Sequence, residues 1–184
     1  RNAARASGGA HSIVVSLGDV IAIHQEPDVA GGASGVVPPL LGEFVSALEG
    51  GIQGGVALAG NQSAIPTSGP LGIVAVQSIS AAMAGFAAAA IADASADTVS
   101  VCEGSSPRDR LFAFAWQNRF IAGPTGLVDA ELVWQALSVS VRQAAVLRDK
   151  RVLGAAALGF KGRGRTVGPV DGDRLLRFGV SEWR

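Results

Sequence analysis

Two short runs of β-branched residues open the readable pattern, Ser12-Ile-Val-Val-Ser-Leu17 and Val20-Ile-Ala-Ile-His24, parted by Gly18-Asp19. Such runs favour extended backbone and glycine permits a turn, so they predict a hairpin or a bent strand. Pro27 ends the second run, and the Gly, Ser and Pro content of residues 28–39 predicts a loop. Leu41, Val45 and Leu48 recur at helical spacing, so Leu40–Leu48 is expected to form a short helix that Gly50-Gly51 stops. Val56–Ala59 reads as a short strand, followed by a polar turn from Asn61 to Pro70.

From Leu71 the periodicity is cleaner. Gly72-Ile-Val-Ala-Val76 is an uncharged β-branched run suited to a strand buried on both faces. Ser78 or Ser80 can cap the helix that follows, in which Ile79, Met83, Phe86 and Ile91 fall near helical spacing and are expected to face the core. Thr98–Cys102 and Leu111–Trp116 alternate as the two strands of a hairpin around a polar turn. Asp129 is placed to cap a long helix reaching Leu147, with Val133, Leu137, Val141, Ala144 and Ala145 on its inner stripe, and Val152–Leu158 reads as a closing strand. The order over 71–158 is β-α-β-β-α-β, so the predicted class is α+β, a ferredoxin-like sandwich with an N-terminal β-rich extension. Residues 1–10 are then a small basic arm, 11–70 the extension, 71–160 the core domain, and 161–184 a basic loop (Lys161–Arg165) with an edge strand over Arg174–Val180.

Composition changes this picture in one respect. Of 184 residues, 32 are Ala and 25 Gly, with no Tyr and two Lys, 48% apolar and 16% charged. Disorder requires low hydrophobicity and high charge, so the chain is expected to fold, with little charge for its surface. The net charge is zero, which gives no general attraction to nucleic acid or acidic membranes. Residues 1–105 hold two basic and eight acidic side chains, and residues 106–184 hold thirteen and seven, so the halves cancel as −6 and +6. That asymmetry suits either a separate partner or a head-to-tail contact with another copy of the chain. The charge-free stretch from Gly50 to Ala92 is long, but Ala and Gly contribute little transfer energy and Gln77, Ser78 and Ser80 interrupt it, so no membrane span is expected. A single Cys102 excludes an internal disulfide, and neither an initiator Met nor an apolar signal core stands at Arg1, so a processed start and a cytoplasmic location are expected.

Candidate chemistry is sparse. His24, Glu26 and Asp28 alternate along an extended segment and could face one ligand, although no spacing fixes a third metal ligand, and neither a metal nor a cofactor is expected. Cys102 has no histidine near it in sequence and reads as a small hydrophobe. Gly50-Gly51-Ile-Gln-Gly54-Gly55 could bring amides to a phosphate, but it lacks the Gly-Lys-Ser/Thr of a P-loop and reads as a flexible connection. Between Arg142 and Arg165 stand seven basic residues against Asp149 alone, so Arg163 and Arg165 are candidates for an anionic ligand. Phe160 is the sole aromatic in that stretch, which offers no base-stacking platform, and a nucleic-acid partner is not expected.

Leu71-Gly-Ile-Val-Ala-Val-Gln-Ser, the Ala-rich helix over 79–92 and the alternating segment 98–116 with its small-residue turn together resemble the shell proteins of bacterial microcompartments. The likeness covers residues 71–160. It departs from the family in lacking a lysine in the first helix and in residues 117–126, which would be an insertion. The resemblance implies a cyclic assembly of copies, with Gly104, Ser105 and Ser106 facing a central pore. The leading expectation is therefore a self-assembling, non-enzymatic structural subunit whose partner is itself. The rival expectation is a small cytosolic enzyme or ligand-binding domain that uses His24, Glu26 and Asp28, or Arg163 and Arg165.

Overall fold

The computed structural model describes residues 12–17, 20–25, 39–50, 54–61, 63, 67–96, 98 and 130–183, and for 12–17 and 20–25 the backbone alone. It is a mixed α+β structure built on a seven-stranded sheet whose strands follow chain order. The strands are β1 (Ser12–Leu17), β2 (Val20–Gln25), β3 (Gly54–Ala59), β4 (Ile73–Ser78), β5 (Leu153–Phe160), β6 (Gly162–Val167) and β7 (Val180–Trp183). Neighbours pair antiparallel from β1 to β6, and β7 runs parallel to β6. Among the described residues three helices accompany them: α1 (Pro39–Ala47), α2 (Ala81–Asp93) and α3 (Ala130–Asp149).

The hairpin expected at the start is present, with β1 and β2 in register from Ser12↔Gln25 to Leu17↔Val20 across Gly18-Asp19. The ferredoxin-like order is not reproduced among the described residues. Both sides of β4 are occupied, by β3 on one side and β5 on the other. In a ferredoxin-like sandwich the first strand of the unit lies beside a strand of the following hairpin, and here β3, which precedes that unit in sequence, fills that place. Residues 99–116, the expected hairpin, lie outside the described residues, as do the arm 1–10, Cys102 and most of the loop 28–39. Thr98, expected to open a strand, instead donates its amide to Ser95 O in a helical turn after α2.

Both faces of the sheet are covered, which explains why β4 has no polar face. Val74 and Val76 join Leu158, Ile91, Val133 and Leu137 in the core beneath α2 and α3. Ile73 and Ala75 join Leu41, Phe44, Leu58 and Phe178 in a second core beneath α1 and two 3-10 turns, Gly172–Arg174 and Leu176–Phe178. Alternate residues of one strand therefore serve two cores, as the period of two requires. The register slips between Gln77 and Ser78, where Ala155 and Leu153 are the successive partners and Gly154 is passed over.

The second helix buries Ile91 as expected but not Ile79 or Phe86. Ser80 caps it, its hydroxyl accepting from Met83 N, while Ser78 donates to Val152 O beside its register partner Leu153. The buried positions are Ala84, Ala87, Ala88, Ile91 and Ala92. Ile79 and Phe86, expected in the core, are 71% and 63% exposed. The cause is distance, since a Cβ added at Gly55 would lie 2.2 Å from Ala81 N, and one at Gly69 would lie 1.7 Å from Ala92 O. A helix held this close to glycine backbone has room inward for methyl groups and for few larger side chains. Gly54 and Gly55 accordingly belong to β3 and are not a flexible connection.

Two other readings are corrected at the C-terminal side. Ala145 is exposed, and the inner stripe of α3 is Val133, Ala136, Leu137, Ser140, Ala144 and Leu147. Lys161–Arg165 is not a loop, because Lys161 (φ 49°) and Gly162 (φ 78°) form a tight turn that pairs Phe160 with Arg163 and starts β6. Two successive positive φ values are the mark of the hairpin turn whose twist matches that of its strands. The segment expected as an edge strand over 174–180 is instead the second 3-10 turn, and β7 begins only at Val180. Among the described residues no helix is long and apolar enough to cross a membrane.

Candidate functional site

Arg163 and Arg165 are brought together by strand periodicity. Positions 163, 165 and 167 of β6 share one face, where Val167 packs on the α2/α3 core. Gly164 faces the other way, and a Cβ there would lie 2.5 Å from the Trp183 ring. The alternating Gly-Arg-Gly-Arg pattern therefore lays indole on one side of the strand and guanidinium on the other. Both guanidiniums lie over Trp134 of α3, with the Arg163 carbon 5.4 Å and the Arg165 carbon 4.6 Å from the ring centroid. Arg163 also forms an ion pair with Glu182, its register partner on β7. At partly exposed sites a cation–π contact contributes about 0.5–1 kcal/mol and an ion pair ~0–1 kcal/mol. These contacts clasp β6 to α3 and β7 and occupy the two arginines expected to hold an anionic ligand.

The remaining expected sites fall largely outside the described residues. His24 stands in β2 with its backbone opposite Ile13, while Glu26, Asp28 and the turn Gly104, Ser105 and Ser106 lie outside. No group of three His, Cys, Asp or Glu side chains able to hold a metal occurs among the described residues.

Two features that pattern reading missed are exposed side by side. The first is the outer face of α2, where Ile79, Ala82, Met83, Phe86 and Ala90 recur at spacings of three and four with no charge before Asp93. The helix is apolar on every side, so periodicity alone does not say which of its large residues face outward. The second is a recess of about 400 Å³ at the N-terminal end of that helix, lined in part by Gln77, Ile79, Gly154, Gly50, Arg148 and Arg151. Its signal was the basic stretch after Arg142, whose arginines the fold divides between this recess and Trp134. No family model, curated protein or solved structure matches the chain.

A further recess of about 360 Å³ lies near the opposite end of the sheet, between Asn61, Phe160, Lys161 and Phe178. The Asn61 amide donates to Pro70 O, which turns it toward the loop that leads into β4.

Proposed function

We propose that this chain is a structural subunit that assembles with copies of itself, and that the outer face of α2 is one of the surfaces it docks through. The observation carrying the reading is Phe86, 63% exposed on a helix with no charged residue between Ala81 and Ala92. A helix that is apolar all round belongs in an interior, and an assembly supplies that interior where the monomer does not. The occupant argued for is a second copy, because the chain as a whole is neutral while its halves carry −6 and +6, so two copies carry complementary charge in opposite halves of their sequence. This is the shell-like function implied by the resemblance over 71–160. The rival reading, an anionic ligand at Arg163 and Arg165, is disfavoured by their engagement with Trp134 and Glu182.

Light scattering or native mass spectrometry at low micromolar concentration tests the proposal. The wild-type chain is expected to run as an oligomer, and Phe86→Glu to run as a smaller species with unchanged circular dichroism and melting temperature. A monomeric wild-type chain, or a variant that assembles as the wild type does, would overturn it.

A further inference from the structure

The recess at the start of α2 has the chemistry of an oxyanion site, and we infer that it holds the phosphate group of a small phosphorylated ligand. Its two cations come from one stretch of chain. Arg148 stands in the last turn of α3, and Arg151 lies just past the helix end. Neither guanidinium has a carboxylate partner among the described residues, in contrast to Arg163, Arg174 and Arg177. Guanidinium forks match the geometry of phosphate oxygens and bind them in pairs of parallel hydrogen bonds.

The backbone at Arg151 is the second observation. Val152 N donates to Leu147 O at 3.0 Å and Arg151 N to Arg148 O at 2.8 Å, the two bonds that close a helix through a left-handed residue. That residue is Arg151, with φ 57°. Glycine is the usual occupant of this position because a Cβ is strained there. The same turn closed by glycine would remove one of the two cations that line the recess, so the strained conformation coincides with a cation at its rim.

The third observation is the slip between β4 and β5, which opens the ladder at this point. Gln77 and Ser78 take Ala155 and Leu153 as partners and pass over Gly154, and both Gln77 and Gly154 line the recess. Bulges of this kind cluster beside binding sites because they interrupt pairing and redirect side chains. Gly50, the described end of the glycine-rich run, forms another part of the wall, and Ile79 supplies an apolar side. The positive end of the α2 dipole begins one residue beyond Ile79, which adds to the attraction for an anion. A volume of about 400 Å³ suits a small molecule.

The test is a thermal-shift titration with inorganic phosphate at constant ionic strength, on the full chain. Wild type is expected to show a saturable rise in melting temperature. Arg151→Gly is expected to melt higher than wild type without phosphate, since it relieves the left-handed strain, and to bind phosphate at least tenfold more weakly. Arg148→Ala is expected to weaken binding by a similar factor, while Arg142→Ala, on α3 but outside the recess, leaves it unchanged. A wild-type response that does not saturate, or Arg148→Ala and Arg151→Gly titrations that match wild type, would overturn the inference. Phe86 takes no part in it, so the assembly reading and this one fail separately.

Discussion

Lys161 holds φ 49° and Gly162 φ 78° at the turn between β5 and β6, and the difference between those residues is the cost of a Cβ in the left-handed region. Glycine adopts that region freely, asparagine tolerates it through local hydrogen bonding, and lysine does neither. Replacing the first turn residue would convert Lys-Gly to Asn-Gly, the pair most favoured in two-residue hairpins of this kind. Lys161→Asn is therefore expected to stabilise the chain by about 0.5–1 kcal/mol, seen as a higher urea midpoint with an unchanged slope. Lys161 is exposed and none of the salt bridges among the described residues involves it, so relief of backbone strain is the effect that remains. An unchanged or lower midpoint would mean that the lysine contributes something at the turn that its geometry does not reveal. Lys-Gly is a weaker hairpin signal than Asn-Gly or Asp-Gly, so the Gly-Arg alternation that follows it carries no local mark of a strand.

Helix α2 shows at the level of an element how a correct periodicity can be assigned to the wrong face. Its approximate span, a serine cap at 78 or 80 and the buried strand before it are legible, because capping and β-branched runs are local signals, and the structure assigns the cap to Ser80. Which side faced the sheet was not local. Ile79, Met83 and Phe86 form one stripe, and Ala84, Ala87, Ala88, Ile91 and Ala92 form another. Hydrophobicity favours burying the first, and only the glycines opposite decide for the second. Gly55 lies in β3, 26 positions before Ala81 in the chain, and a Cβ there would stand 2.4 Å from Ala81 Cα. Contact with backbone cannot be relieved by turning a side chain, so the helix itself must shift. Gly55→Ala is expected to destabilise the chain by about 1–3 kcal/mol, the range for overpacking a filled interior. Chemical denaturation measures it, and a loss near zero would show that α2 rides more loosely on β3 than the close approach indicates. The arginine recess went unread for a related reason, since Arg148, Gln77 and Gly50 meet only when three elements converge.

On the scale of the whole molecule, two segments far apart in the chain close the second face of the sheet together. Glu49 N donates to Pro169 O at 3.0 Å, Asp171 N to Ala47 O at 2.8 Å and Arg177 N to Glu43 Oε2 at 2.8 Å. Arg174 Nη1 reaches Ser46 O at 3.1 Å, and the Arg177 and Glu43 side chains pair at 3.4 Å. Helix α1 was legible from its leucines, but its partners were not, because no local pattern relates residues 43 and 177. Under this clasp Phe44 is fully buried with Leu41, Leu175 and Phe178. The polar contacts are mostly exposed and orient the two segments, whereas the apolar contacts hold them on the sheet. Phe44→Ala is therefore expected to cost about 3–5 kcal/mol, the usual loss for emptying an aromatic site in a core. If the sheet and its two covers unfold as one unit, the urea midpoint falls and amide exchange at Asp171 and Arg177 rises only as far as global stability drops. If the clasp opens by itself, those two amides exchange faster while Val74 and Val76 keep their protection. The shared strand β4, which serves both cores with alternate residues, favours the first outcome, because loosening one face removes support from the same backbone that the other face needs.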